Sequence, residues 1–455
     1  MKPNQLIFKQ SIFYILNLSL LFNSQYGLAE ISSTWEQEAS YSTSQHDLQK
    51  FESLFQTEMT DTIGRFDVTA ISRIKLDSES NLGPKFESKE HSLGYESRLN
   101  DQRDGGQHGE ITLRELYFDA ELAGGFWRVG KQQVVWGQSD GLKVLDQVNP
   151  QSYSEFILDD FDDSRIPLWM VNLELPFQDD TLQFLWIPDA STHELSEFNT
   201  PYAFTSKNLV PKPPLDSQGK PVIPVSFNER QDPQKFWEDS DIGVRYSMFT
   251  ESAWDITFNY LYHYQDLPVL YQQLVSLGNG SGVSIEITPT FERSHLIGGT
   301  LSNAFGDFTV RAEWGYSTDT YFVSSDLASK GVENSPELSS VIGLDYQGIS
   351  DMFISFQWFH SHLFQYEKTI VRDENNQSIT FLVQHDFMNE TLRLESLFIH
   401  NINQEDGLVR PKITYQMTSD LELFAGADLF YGSQDGLFGQ FDHQDRLNVG
   451  FKVGF

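Results

Sequence analysis

The chain closes on Arg446-Leu-Asn-Val-Gly-Phe-Lys-Val-Gly-Phe455. Leu447, Val449, Phe451, Val453 and Phe455 alternate there with Arg446, Asn448, Gly450, Lys452 and Gly454. Successive side chains of a strand point to opposite faces, so this segment offers one apolar and one polar face. A strand of this kind suits a wall with lipid on one side and water on the other. Alternating apolar residues that end on a terminal Phe are also what bacterial barrel-assembly machinery reads, so Phe455 is the expected assembly signal.

The same period of two recurs along most of the chain. In Arg65–Leu76, Phe66, Val68, Ala70, Ile74 and Leu76 oppose Arg65, Asp67, Thr69, Arg73 and Lys75. Val244 and Tyr246 oppose Arg245, while Val310, Ala312 and Trp314 oppose Arg311 and Glu313. In Val409–Met417, Ile413 and Tyr415 oppose Arg410 and Lys412; in Leu421–Tyr431, Leu423, Ala425 and Leu429 oppose Glu422 and Asp428. Segments of about ten residues are the length of a tilted transmembrane strand. Connections alternate too. Short ones near Ala123–Gly125, Gln178–Asp180 and Phe387–Glu390 take turns with long ones near Gly137–Arg165, Asp189–Asp239 and Ser317–Ser339. The pattern predicts an all-β transmembrane antiparallel β-barrel of about 16 strands, within a range of 14–18, with long extracellular loops and short periplasmic turns. Residues 30–60 form either a periplasmic N-terminal segment or a first hairpin, and the barrel is expected over 61–455.

Residues 1–29 read as a signal peptide. Lys2 and Lys9 precede the apolar run Ile12–Phe22, and Gly27-Leu28-Ala29 is a small-x-small cleavage site. No later stretch approaches the roughly 20 apolar residues of a membrane helix. Composition agrees with a wet and oily wall: only 39% of residues are hydrophobic, yet 14% are aromatic. The absence of Cys excludes disulfides and thiolate chemistry, and a net charge of -34 argues against nucleic acid, which needs a cationic footprint.

The stretch Trp127–Pro150 contains Gly130-Lys131-Gln132, then Trp136-Gly137, then Asp146-x-x-Asn149-Pro150, and Arg165-Ile166-Pro167 follows. These positions resemble the outer-membrane family catalogued as domain of unknown function 1302. There a Gly-[Arg/Lys]-Gln strand runs into Trp-Gly and an Asp-x-x-Asn-Pro loop. The resemblance is dense over about 110–190. It implies an exported, porin-like barrel of unsettled function, suspected of passing hydrophobic or unidentified molecules. Read from the residues alone, Asn149-Pro150 is a turn and Trp136-Gly137 a rim aromatic before a chain reversal. Together with Asp146 and Arg165 they form a loop stapled to the barrel mouth.

The expected lumen lining is Arg65, Arg73, Arg245, Arg311, Glu313, Arg393, Glu395, Arg410, Lys412 and Asp428. Mixed charges in a wet lumen either select solutes, as charged rings do in pores, or pair and fill a plugged interior. The run Asp159-Asp160-Phe161-Asp162-Asp163 is read as a solvated acidic loop, with a hard-cation site as the alternative. Val210–Pro224, with Pro211, Pro213, Pro214, Pro221 and Pro224, is a stiff excursion that either narrows the lumen or lies outside. His360, His362, His385 and His400 lack a Ser-containing partner motif, so no catalytic site, metal or cofactor is expected. The function expected is therefore an outer-membrane channel or transporter, with a plugged structural or partner-binding barrel as the alternative. Its partners would be outer-membrane lipid, the assembly machinery and a periplasmic carrier or inner-membrane pump.

Overall fold

The computed structural model describes residues 29–79, 93–100, 104–106, 108–196, 200–212, 218, 222–277 and 282–455. Residues 1–28 of the proposed signal peptide and Pro213, Pro214 and Pro221 lie outside these residues. Eighteen antiparallel strands make the wall. They are β1 (Glu30–Ser42), β2 (Asp47–Ile63), β3 (Phe66–Asp77), β4 (Gly109–Leu122), β5 (Gly125–Gln132), β6 (Leu168–Phe177), β7 (Asp180–Ile187), β8 (Asp241–Phe249) and β9 (Asp255–Tyr264). They continue with β10 (Arg293–Phe305), β11 (Phe308–Val323), β12 (Val332–Tyr346), β13 (Met352–Leu363), β14 (Asn375–Phe387), β15 (Leu392–Asn401), β16 (Asp406–Gln416), β17 (Leu421–Tyr431) and β18 (Arg446–Gly454). Each pairs with the next, and β18 returns to β1 from Thr34↔Gly454 to Ser42↔Arg446, so the sheet closes on itself. Closure matters here, because a lipid-facing edge would leave backbone groups without partners.

The alternation sets the register. Leu447, Val449, Ile413, Leu423 and Leu429 are exposed on the outside, while Arg446 and Asp428 on the same strands are buried inside. Trp35 stacks on Phe55 at 5.5 Å and meets Phe451 edge-on at 4.9 Å, sealing the outer face of the closing seam. Phe455 lies in that seam, exchanging backbone hydrogen bonds with Ser33 at 2.9 and 3.0 Å.

Eight connections and both barrel termini gather at one end. Two-residue turns there include Ala123-Gly124, with φ of 52° and 80°, the double positive φ that the tightest hairpins need. The strand number is two above the central expectation of 16, and the extra pair is β1 and β2, paired from Glu30↔Thr60 to Ser42↔Asp47. Two outer connections are as short as the inner ones, at 43–46 and 402–405. The long loop expected over Ser317–Ser339 is also corrected: β11 and β12 stay paired to Val323↔Val332, leaving only 324–331.

Candidate functional site

The loop 133–167 does not sit on the rim. It leaves β5 at Gln132 and enters the barrel as a strap. Its first anchor is apolar. Val134, Trp136, Leu145 and Val148 pack with Leu168, Met170, Leu185, Ile187, Leu261 and Leu296 from β6, β7, β9 and β10. Trp136 is fully buried, and its indole N–H donates to Gln183 Oε1 at 2.9 Å, so the ring buries its area without orphaning its donor. Asn149 ties the two ends of the strap together. Its Oδ1 accepts from the Val134 N–H at 2.7 Å, and its Nδ2 donates to Ile166 O at 2.9 Å. The Pro150 carbonyl accepts from the Ile166 N–H at 2.8 Å, and Arg165 pairs with Asp146 at 2.9 Å. Gly137 leaves room that a Cβ would crowd, at 3.1 Å from Asp146 and 3.2 Å from Glu313 Oε1. The motif residues are thus brought together, but across the interior instead of at the mouth.

Polar side chains of β8 and β11, within and beside that apolar wall, also hold the strap. Glu313 accepts from the Gln138 and Leu145 N–H groups at 2.7 and 2.5 Å. Arg311 binds Gln138 O, Asp140 and, at 2.8 Å, Asp345; Arg245 donates to Val135 O at 3.2 Å.

The third anchor is a buried charge cluster. Glu155 on the strap takes Lys50 at 2.8 Å and Arg446 at 2.6 Å, and all three side chains are at most 3% exposed. Asp428 takes Arg446 and Arg410, each at 2.8 Å, and Arg410 also donates to Leu158 O at 2.6 Å. Burial penalises the Glu155 charge, but Lys50 and Arg446 outweigh it and hold the carboxyl well below its usual range.

Between this cluster and the strap lies a cavity of about 320 Å³. Its walls are β15 to β18 and β1 to β5, with Glu395, Arg410, Lys412, Asp428, Arg446, Glu36, Lys50, Glu52, Arg73 and Lys75 among the lining. Nine Lys or Arg and eleven Asp or Glu line it, whereas the whole chain carries 31 against 65. Cations are therefore concentrated inside a strongly acidic protein. Lys75 pairs with Glu52 at 2.8 Å and Arg73 with Asp163. Lys412 extends over the Phe424 ring at 5.4 Å. Burial, reinforced by the neighbouring Glu155 charge, pushes Asp159 up to about 7.

Other expected residues fall elsewhere. Arg65 is a correction: it lies exposed in the turn before β3, against the Phe66 ring, because the strand begins one residue later. Arg393 lies far from the strap and pairs with Asp386 at 2.7 Å. In the acidic run, Asp162 pairs with Arg165 at 2.6 Å and Asp163 with Arg73, so arginines take the place suggested for a cation. The four histidines lie on the outer face beside rings, His360 by Trp358, His362 by Phe364, His385 by Phe387 and His400 by Tyr431, and only His360 and His362 share a partner, Asn375 Oδ1. Among the described residues of the Pro-rich stretch, Lys212 pairs with Asp435 at the outer mouth at 2.9 Å. Sequence reasoning missed Lys50 and Glu155 as partners. The inward parity of Lys75 was the nearest signal; Glu155 sits in a loop without period.

Fold and interior together define a porin-like β-barrel of the bacterial outer membrane. The chain belongs to the family described as Protein of unknown function (DUF1302), whose model matches residues 41–378. Among curated proteins no match is found. Solved structures similar to the chain include Pseudomonas aeruginosa OpdK with vanillate, at 10% identity and a TM-score of 0.52, covering 95% of this chain and 100% of that one. Acinetobacter baumannii OccAB2 is similar at 12% identity and a TM-score of 0.51, covering 94% and 98%. At such identities the likeness is one of fold.

Proposed function

We propose that the protein is a channel that passes small solutes across the outer membrane along one side of its lumen, beside the strap. The observation that carries this reading is the asymmetry of the strap's packing. It is sealed by apolar side chains against β6, β7, β9 and β10, but leaves the charge-lined cavity against β15 to β18 and β1 to β5. A pathway lined by both signs of charge sets a transverse field that orders water and discriminates between solutes by charge. The OpdK structure was determined with vanillate, an aromatic carboxylate, and the concentration of cations in this cavity relative to the whole chain supports passage of small anions in this protein.

Planar-bilayer recording tests the reading. The purified barrel should give discrete conductance steps, and Lys412→Glu should move the reversal potential in a salt gradient toward cation preference without loss of folding. No conductance from a folded barrel would favour the second reading, a plugged barrel. The many strap-to-wall bonds are the observation on that side.

A further inference from the structure

The wall is interrupted between β4 and β5, and the cavity reaches the interruption. β5 pairs with β4 only from Leu116↔Lys131 to Leu122↔Gly125, because the chain leaves the wall after Gln132 to form the strap. Higher up, the short strand Asp104–Gly106 pairs with Gly109–Ile111. Between these pairings, Thr112 to Glu115 has no strand on its β5 side among the described residues. The backbone is irregular on both flanks. The β3–β4 register shifts between Ile71 and Ser72, and Gly130 sits at φ 141°, where a Cβ would lie 2.1 Å from Leu116 O. Side chains replace the missing ladder. Lys131 Nζ donates to Leu113 O at 2.9 Å, Gln133 Nε2 to the Glu115 carboxylate at 2.8 Å, and Arg114 to the carbonyls of Asp162 and Arg165.

At about 3.3 Å per residue and a tilt of about 40°, this break stands roughly 20–28 Å above the Ala123-Gly124 turn, at the outer edge of an apolar band about 25 Å tall. Irregular backbone at such depth persists only where protein buries it or where it borders a water-filled space. Here it borders the lumen: Leu113, Arg114, Lys131, Ile166 and Pro167 line the same cavity as Lys50 and Lys412. Just below, Phe118 and Val129 are exposed on the lipid side.

We propose that this break is a lateral portal through which the cavity exchanges an anionic single-chain amphiphile with the outer leaflet. Arg114 and Lys131 meet the head group, and the Leu113, Ile166 and Pro167 edge meets the chain, which stays in lipid while the head enters water. The portal deepens the channel reading, since it supplies that pathway with a sideways entrance.

The test is photolabelling of the wild-type barrel in phosphatidylcholine vesicles with a long-chain fatty acid carrying a mid-chain diazirine, adducts being mapped by mass spectrometry. Adducts on Thr112, Leu113, Arg114, Ile166 and Pro167 should exceed those on inward side chains of β11 to β13 at least tenfold. Lys131→Glu should lower them at least fivefold, and Lys131→Arg should restore them. Adducts confined to outward-facing side chains away from Thr112–Arg114 and from Ile166 and Pro167 would overturn the portal. So would cavity labelling by a short water-soluble diazirine carboxylate but not by the long-chain one, a result that leaves the channel reading standing. Portal labelling in a barrel that shows no conductance would uphold the portal and remove the channel.

Discussion

The two halves of the barrel interior hold the same strap by different mixtures of contact, and among the described residues only one of them has a buried ion cluster beside a cavity. Against β6, β7, β9 and β10 the contact is oily, with Trp136 and Leu145 wedged among Leu185, Leu261 and Leu296. Against β16, β18 and β2 it is ionic at Glu155, which sits between Lys50 and Arg446, while Phe156 and Leu158 beside it pack on Ile399, Leu408 and Phe430 toward the outer mouth. An apolar contact is favoured because it excludes water, so it closes the space it occupies. A charged contact must satisfy several donors and acceptors at once, and it keeps polar groups and room beside them. The cavity lies on the ionic side for that reason. Where a solute passes is thus set by which chemistry anchors each flank of one loop.

Removing an anchor should have unequal effects on the two sides. Glu155→Ala strips the carboxylate from two buried cations, and breaking a buried pair in this way costs about 3–5 kcal/mol. Urea unfolding of the detergent-solubilised barrel should show a lower midpoint, and the strap should come off the β2 and β18 wall, widening conductance. An unchanged midpoint would mean that Lys50 and Arg446 are satisfied without it. Trp136→Phe keeps an apolar wedge but loses the bond to Gln183 and part of the ring, a cost of about 1–3 kcal/mol. It should destabilise with little change in conductance, since the oily flank carries no path; a clear rise in conductance would erase the distinction between the halves.

A smaller effect sharpens the comparison through pH. Asp159, raised to about 7 by burial beside the Glu155 charge, gains a proton as pH falls from 8 to 6. The cavity becomes more positive, so reversal potentials should shift toward anion preference over that window, and Asp159→Asn should abolish the shift. The sign for stability follows the same equilibrium. Between pH 4 and about 7 the folded state binds this proton more tightly than the unfolded chain, so the site's contribution declines as pH rises. Glu155 runs the other way: its depressed carboxyl stabilises above the ordinary glutamate range, and that contribution is lost on acidification.

Much of the wall was legible in the sequence, because lipid outside and water inside force a period of two on every strand. The first hairpin was harder to read. Outward Ser33, Gln37 and Ser53 break the apolar face of β1 and β2, so the alternation there is blurred. Turns at 43–46 and 402–405 hid for a different reason, being outer connections as tight as periplasmic ones. The motif residues Trp136, Asp146, Asn149 and Arg165 stood out, but their place inside the barrel did not. That place depends on Gln183, Glu313 and Leu296, each set by register on strands distant in sequence. The inward charges were visible by parity, whereas the Lys50–Glu155–Arg446 cluster needs a loop without any period to be brought against the wall.

The central claim, that the way through runs along the ionic side, meets its most direct test in thiol accessibility. The chain has no Cys, so Lys412→Cys on the charged side and Thr300→Cys on the sealed side each create a lone reactive site. With a charged methanethiosulfonate reagent applied during planar-bilayer recording, the account predicts that current through Lys412→Cys falls by more than half while Thr300→Cys is unaffected. Block at Thr300→Cys with none at Lys412→Cys would contradict it.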